Sequence, residues 1–378
     1  MSTNVLPDGW TLKKFSAIAA SITERVDDPS ASGVERYVGL EHLDPESTSI
    51  RRWGSPSDVE ATKLRFYPGD VIYGRRRAYQ RKLGVADFDG ICSAHALVLR
   101  AKPDACLPEF LPYFLQSDAF HQRALDISVG SLSPTINWKT LAVQEFALPP
   151  IDEQQRIVEL LSAADAHVSS LERQGAAARA ARSAVLSELL SAGGDDWIES
   201  ALSEIAEVVM GQSPPGKTYN SEGIGIPFMQ GSAEFGPHVP QPLKWCSSPA
   251  KIAEIGDLLL SVRAPVGDTN LANQRIAIGR GLAVIRARAG SLTPFLRLFL
   301  QANVVGLVSR SGTGMFHSIT GANLKQFRVT VPPLEEQQRI VNIVSSMDDV
   351  TQSAEKAVLA TKILRSGLLT VLLAGAEL

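Results

Sequence analysis

The chain has little that would tie it to a membrane, an oxidising compartment or a metal. No run approaches the 18 or so apolar residues that cross a bilayer, and the opening residues hold no apolar core of signal-peptide length. A protein lacking both is expected in the cytoplasm, without a membrane partner. Its three cysteines, Cys92, Cys106 and Cys246, form no CxxC pair and cannot complete a disulfide set, which points to a reducing compartment and to places in apolar cores. The six histidines, His42, His95, His121, His167, His238 and His317, make no HxH, HExxH or Cys/His cluster, so they are read as structural and no metal is expected. There is no GxSxG nucleophile elbow and no Asp/Asn-Pro-Pro-aromatic signature of an adenine methyltransferase. Catalysis leaves no trace, and the chain is read as no enzyme. A net charge of only −3 gives no global sign of nucleic acid, so any basic patch must be local.

What the chain does have is material for cores. At 378 residues, 44% apolar and 20% charged, it is too long for one hydrophobic core and too apolar for disorder, and two domains with connecting structure follow.

The organisation is visible as an internal repeat. PPIDEQQRIV at 149–158 recurs as PPLEEQQRIV at 332–341, an offset of 183. Upstream, Trp10 answers Trp197, and the Gly69-Asp70-Val71-Ile72 run answers Gly256-Asp257-Leu258-Leu259, both at an offset of 187. Each half reads as a globular α+β part followed by a long tail. Short β-like runs at 70–73, 96–99, 258–262 and 282–285 are punctuated by Gly, Pro and Asp, with helical stretches at 111–124 and 294–301.

Each tail opens on a Pro-Pro pair followed by acidic residues, the sign of a helix N-terminus. From there Ile157, Leu161, Ala164, Val168, Leu171, Gly175, Ala178, Arg182, Val185 and Leu189 alternate spacings of four and three, the pattern of a seam against another helix. In the second tail the same rhythm selects Ile343, Met347, Val350, Ala354, Ala357, Thr361, Leu364, Leu368 and Val371. The expected architecture is α+β: globular domains at 1–150 and 195–333 separated by two long antiparallel helices at 151–194 and 334–378, a coiled-coil spacer with a pseudo-two-fold repeat. A globular reader would sit at each end of the helix pair.

Charge is local. Residues 63–82 hold seven basic side chains (Lys63, Arg65, Arg75, Arg76, Arg77, Arg81, Lys82) against Asp70 alone, with Tyr73 and Tyr79 interleaved. Residues 258–297 hold Arg263, Arg275, Arg280, Arg286, Arg288 and Arg297 against Asp268 alone. Each helix tail instead carries four basic and six acidic residues. Basic character confined to equivalent places in both globular parts favours contact with phosphate there and not on the helices. Gly130-Ser131-Leu132-Ser133 and Gly312-Thr313-Gly314 precede Ile136 and Ile319 at comparable places, as turns or as flexible backbone near a partner.

One motif misleads. Residues 211–218, GQSPPGKT, satisfy the phosphate-loop expression GxxxxGK[ST] letter for letter. Two prolines remove amide donors inside it and the residues that follow cannot form a helix, so a Pro-Gly turn is the better reading.

The PP(I/L)(D/E)EQQRIV helix entries, the GQSPP run with Tyr219-Asn220 and Ile226-Pro227-Phe228, GDLLLSVRAPVGD at 256–268 and IGRGLAVIR at 278–286 together resemble the specificity subunits of type I restriction-modification systems. The resemblance covers the whole chain. It implies a non-catalytic reader of a split site on double-stranded DNA, one half-site per target-recognition domain, with the gap set by the helix pair. It further implies docking of two modification (methyltransferase) subunits that use S-adenosylmethionine, and through them restriction subunits that use ATP and Mg²⁺, this chain itself holding no cofactor. On that basis Arg75, Arg76, Arg77, Tyr79 and Lys82 are the candidate DNA contacts of the first domain, and Lys217, Tyr219, Arg263 and Arg280 those of the second. The helix-entry clusters Glu153, Gln154, Gln155, Arg156 and Glu336, Gln337, Gln338, Arg339 are candidate docking surfaces for the modification subunits, with ordinary helix capping as the plain alternative. The competing function classes are a coiled-coil protein-binding scaffold without DNA specificity and a nucleotide-hydrolysing enzyme built on the 211–218 loop.

Overall fold

A computed structural model describes residues 6–131, 133–236, 239–303, 306 and 318–374 of the chain. Leu132, His238, His317, the Gly312-Thr313-Gly314 run and the last four residues of the second tail lie outside them. The chain divides into two compact units, Met1–Glu172 with Lys356–Leu378, and Arg173–Glu355.

The first unit opens with Thr11–Lys14 paired antiparallel to Glu145–Leu148. A four-stranded antiparallel sheet follows in the order Ala19–Ile22, Ala96–Ala101, Val71–Gly74, Leu83–Val85. A second sheet orders Arg25–Val26, Lys63–Phe66, Gly90–Ser93 and Tyr37–Val38, the last pair parallel. The second unit repeats this plan. Ile198–Ala201 pairs with Arg328–Val331, Ala206–Met210 lies beside Leu282–Ala287, Leu258–Ser261 and Thr269–Leu271, and a five-stranded sheet is built around Ile226–Met229 and Ile276–Ile278.

The stretch expected as one helix at 111–124 is two, Leu111–Gln116 and Asp118–Asp126. Ser117 breaks it: the residue is extended, its hydroxyl donates to the Phe114 carbonyl at 2.7 Å and accepts the Phe120 amide at 3.2 Å, ending one helix and capping the next. The stretch expected at 294–301 is the helix Thr293–Ala302.

The tails are two continuous helices, Ile151–Ser191 of 41 residues and Leu334–Leu372 of 39, each about 60 Å long at 1.5 Å per residue. Inside the first unit, Asp165 of the first helix pairs with Arg365 of the second at 2.9 Å, and Glu172 with Lys362 at 2.7 Å. Partners descend one helix as they ascend the other, so these halves run antiparallel. Inside the second unit Arg182 pairs with Asp348, and Arg179 with Glu355 at 3.0 Å, again antiparallel. The two sets are the same set read twice, since the offset of 183 turns Asp165 into Asp348 and Arg182 into Arg365.

Each globular core recruits both helices. In the first unit Phe15, Phe114, Phe120 and Phe146 form a cluster of ring contacts, packed with Ile157 and Leu161 of the first helix, Leu369 of the second and Leu373 just past its end. In the second, Leu258, Ile285, Phe295 and Phe299 pack with Leu186, Ile340 and Val344. Trp10 and Trp197, matched in the sequence, flank these two cores at equivalent places. Each fully buried side chain of this size contributes about 1.5–3 kcal/mol, so the helix ends are part of the cores and not appendages.

The seam expected on the first helix holds at all ten positions, none of which is exposed. On the second helix the reading needs correction: Val350, Leu364 and Val371 are 61%, 72% and 74% exposed. The facing positions are Ile340, Val344, Met347, Thr351, Ala354, Val358, Thr361, Arg365, Leu368 and Leu372, all buried or half-buried. Hydrophobicity alone misplaces this stripe because polar seam positions are satisfied inside the structure. Thr351 Oγ1 donates to the Met347 carbonyl, and Arg365, 7% exposed, bonds Asp165 and the Gln116 side chain.

No helix among the described residues is long and apolar enough to cross a membrane. All three cysteines are buried and free, and burial pushes the Cys106 thiol up to about 12.

Candidate nucleic-acid interface

A pair of scaffold motifs holds the strand that carries the candidate residues in each unit. Gly69, at φ +89°, turns the chain into the Val71–Gly74 strand, and Gly256, at φ +86°, does so before Leu258–Ser261. The aspartate that follows each glycine is buried. Asp70 accepts the Tyr67 amide at 2.9 Å and both Arg100 Nε and Nη2, at 2.7 and 2.9 Å. Asp257 accepts the Glu254 amide at 2.8 Å and Arg286 Nε and Nη2, at 2.8 and 2.7 Å. These carboxylates, the Asp257 carboxylate foremost among the causes for Arg286, hold the two guanidinium groups above their ordinary pKa. Arg286 therefore belongs to the scaffold, although the charge count placed it in the basic run.

Where each strand ends, the two units again coincide. The Arg75 amide bonds the His95 carbonyl, the Ile136 amide bonds the Arg75 carbonyl, and Arg76 bridges Thr135. The Val262 amide bonds the Gly281 carbonyl, the Ile319 amide bonds the Val262 carbonyl, and Arg263 bridges Ser318. Arg76 and Arg263 thus occupy one position in two copies, both exposed.

Much of the remaining basic charge is committed elsewhere. Lys63 is buried and bonds the Ala61 carbonyl, Arg65 pairs with Asp89 at 2.6 Å, Arg81 with Asp118 at 2.8 Å, and Lys82 Nζ donates to the Leu40 carbonyl at 2.9 Å. Arg75 is half-buried, with its Nε enclosed and unbonded. That leaves Arg76, Arg77 and Tyr79 as the exposed candidates of the first unit. Arg77 and Arg81 sit at φ +57° and +49°, bracketing the Ala78–Gln80 turn in a left-handed conformation that costs a non-glycine residue about 1 kcal/mol. Arg76 Nη1 lies 3.5 Å from His95 Nε2. Burial first, and then the positive charges of Arg76, Arg75 and Lys63, hold the His95 imidazole below its usual value, so at neutral pH it is an uncharged donor and acceptor.

In the second unit Lys217, Arg263 and Arg280 are exposed. Tyr219 is spent on the fold: its hydroxyl donates to the Pro214 carbonyl at 2.7 Å and its ring stacks on Phe228 at 4.6 Å. The 211–218 loop is no phosphate cradle. The Gly211 and Gln212 amides bond the Leu282 and Ile278 carbonyls, and the one-turn helix Gly216–Thr218 leads into the strand Tyr219–Asn220.

The helix-entry clusters separate into two kinds of residue. Gln154 and Gln337 must be withdrawn as docking residues, because both are fully buried. Gln154 accepts the Leu107 amide at 2.9 Å and donates to the Ala105 and Pro149 carbonyls, each at 3.0 Å. Gln337 does the same with Leu292 at 2.8 Å, Gly290 at 2.9 Å and Pro332 at 2.8 Å. Each amide clasps the loop before a short helix to the Pro-Pro entry of a long one. Gln155, Arg156, Gln338 and Arg339 remain exposed, with Arg156–Glu153 and Arg339–Glu336 ion pairs along the helix surface. The signal that could have separated them was present, since in a helix residues 154 and 157 share the face that bears the apolar seam.

Two copies of one scaffold, each offering arginine at the same strand end, define a duplicated binding protein. The family model of the type I restriction modification DNA specificity domain matches residues 54–177 and again 194–361, and the chain belongs to that family. It is 27% identical over 382 residues to a putative type I restriction enzyme specificity subunit, MjaX, of Methanocaldococcus jannaschii, covering 93% of this chain and 89% of the relative. The EcoDI specificity subunit of Escherichia coli matches 45% of this chain at 28% identity, over 38% of its own length. A chain solved in work on complex assembly and conformational transition of the type I R-M system superposes with a TM-score of 0.68 at 32% identity, over 98% of both chains. The S subunit of a type I system from M. genitalium shares the fold, with a TM-score of 0.58 at 16% identity over 98% and 97%. The protein is accordingly a specificity subunit with two recognition domains.

Proposed function

We propose that each recognition domain reads one half of a split site on double-stranded DNA, that the long helices set the gap between the halves, and that the chain itself catalyses nothing. The observation that carries this reading is the coincidence of Arg76 and Arg263 at the end of equivalent strands, exposed and embedded in otherwise unlike surroundings. Arginines at such a fixed place supply register on phosphates, while the unlike side chains around them supply sequence. Unlike surroundings favour an asymmetric target. Arg77 and Tyr79 in the first domain and Lys217 and Arg280 in the second are the further contacts, with Arg75, Lys82 and Tyr219 acting through the shape of the loops.

The partners are two modification subunits, which supply S-adenosylmethionine-dependent adenine methylation, and restriction subunits, which supply ATP- and Mg²⁺-dependent cleavage. No cofactor is assigned to this chain. The exposed Gln155, Arg156, Gln338 and Arg339 are the helix-entry residues open to the modification subunits. In a reducing cytoplasm the three buried thiols stay free.

The test is to co-express the chain with its modification subunits and to map methylated adenines across a genome. A split motif is expected, and exchange of residues 1–148 for those of another specificity subunit changes one half alone. Methylation without a motif, or a motif that changes in both halves, would refute the reading. A protein-binding scaffold would show no DNA affinity that falls steeply with salt.

A further inference from the structure

Three loops of the second unit come closer than side chains would allow. A Cβ on Gly211 would lie 2.1 Å from the Gly279 carbonyl oxygen, one on Gly279 would lie 2.7 Å from Gln230 Oε1, and one on Gly281 would lie 2.3 Å from the Gln230 carbonyl oxygen. The Gly279 amide bonds the Met229 carbonyl at 2.7 Å and the Gly281 amide bonds Gln230 at 3.0 Å. Glycine is required at Gly211 and Gly281 because the loops meet there at backbone distance, whereas the approach at Gly279 is to the movable end of the Gln230 side chain. The effect is to bring Ser213, Gln230 and Arg280, one from each loop, to a single spot.

There the Ser213 hydroxyl is a hub. It accepts from Gln230 Nε2 at 2.8 Å and from Arg280 Nε at 3.1 Å. Gln230 and Arg280 are exposed. Among the described residues the terminal amino groups of Arg280 have no acceptor, so its guanidinium is oriented through Nε while the outer fork stays free. The Ser213 hydroxyl donates in turn to Gln230 Oε1 at 3.3 Å, so the uncharged Gln230 amide keeps one N–H and one lone pair of its oxygen for a further partner.

We propose that Ser213, Gln230 and Arg280 form a preorganised base-reading tip, in which Arg280 takes the O6 and N7 edge of a guanine in the major groove and Gln230 reads the adjoining base pair. The proposal rests on the split-site reading and deepens it by naming a base. A phosphate contact needs only charge, whereas here a planar fork is held in one orientation beside an uncharged amide on the same hydroxyl. That arrangement suits a donor and acceptor pattern and lowers the ordering cost of bidentate binding. The Val262–Gly281 and Arg75–His95 bonds make His95 the counterpart of Gly281, and so Ala94 the counterpart of Arg280. The first unit therefore carries no such arginine, and the guanine requirement belongs to the half-site of the second domain.

The experiment uses the assembled methyltransferase and the same genomic methylation map. For the wild type, the half of the motif that survives exchange of residues 1–148 contains a required guanine. Arg280→Ala loses that requirement by tenfold or more at the one position, and leaves the other half and all other positions intact. Gln230→Ala relaxes the neighbouring position alone, which keeps the proposal testable should the first variant fold poorly. Loss of methylation equally at all sites with an unchanged motif would make Arg280 a phosphate contact and overturn the tip. A wild-type half-site without guanine would do the same. A wild-type map with no split motif would instead remove the reading on which the tip rests.

Discussion

The two units agree in the polar groups that brace their folds and diverge in the exposed residues beyond their shared strand-end arginines. Asp70 with Arg100 matches Asp257 with Arg286, Gln154 matches Gln337, and Asp165 with Arg365 matches Asp348 with Arg182. Just past Arg76 and Arg263, which the two strand ends share, the match stops. A left-handed Arg77 and the Ala78 and Tyr79 of the turn it opens stand in the first unit where the second has Ala264, Pro265 and Val266, and Ala94-His95 stands where the second has Arg280-Gly281. A buried carboxylate or amide can be replaced only together with every partner it satisfies, so it stays fixed when a unit is copied. An exposed tip is held by few bonds and can change one side chain at a time. Rigidity below and latitude above are what a pair of readers with different targets requires.

The largest expected effect tests the fixed part. Asp70→Ala removes a wholly buried carboxylate that bonds one amide and one guanidinium, and Asp257→Ala removes its counterpart. Each change is expected to cost about 3 kcal/mol, the partly exposed arginines rehydrating while the amides stay unpaired. Because the two sites lie in separate units with no shared partner, the double variant should lose the sum of the two in denaturant unfolding. A cost at one site and none at the other would break the equivalence.

A smaller effect separates two residues that the repeat makes equivalent. Arg365 is 7% exposed and bonds Gln116 at 2.8 Å as well as Asp165, which also accepts the Tyr113 hydroxyl at 3.0 Å. Arg182 has Asp348, whose side chain is 50% exposed, as its bonded partner. Arg365→Leu should therefore cost about 2 kcal/mol, leaving polar groups enclosed, and Arg182→Leu about 1 kcal/mol or less. Denaturant midpoints of the two variants at one ionic strength measure the difference, and equal losses would show that enclosure by Gln116 and Tyr113 adds nothing.

The repeat, the α+β character, both long helices and the emptiness of the phosphate-loop motif were legible because each leaves a local mark: a repeated decapeptide, a period, a proline where an amide is needed. The second seam was misread at Val350, Leu364 and Val371 because periodicity follows apolar residues, whereas Thr351 and Arg365 turn inward on hydrogen bonds that no pattern shows. The decapeptide held the remedy, since carrying the first seam across by 183 places lands on Thr351 and Arg365 directly. The convergence of Ser213, Gln230 and Arg280 was illegible for a different reason. It joins loops 17 and 67 residues apart through glycine contacts, and the sequence records only that glycines are there.

The smallest effect has the opposite sign. Gly175 is a buried seam position in the middle of the first long helix, with helical neighbours on both sides. Glycine there gives up backbone entropy without any left-handed turn to justify it. A Cβ at this position would meet Ala354 Cβ at 3.7 Å and Arg179 Nη1 at 3.6 Å, both ordinary contacts. Its counterpart on the second helix, at an offset of 183, is Val358, a half-buried seam residue that carries a Cβ and two methyl groups beyond it. The seam therefore accommodates a larger side chain at one of these two equivalent places, and Gly175→Ala asks for only the first carbon of it at the other. The change should raise stability by about 0.5–1 kcal/mol, read as a higher denaturant midpoint with an unchanged slope. A loss of stability instead would mean that the helices pack more tightly at this crossing than the Ala354 contact indicates, and that the equivalence of the two seams ends at their middle.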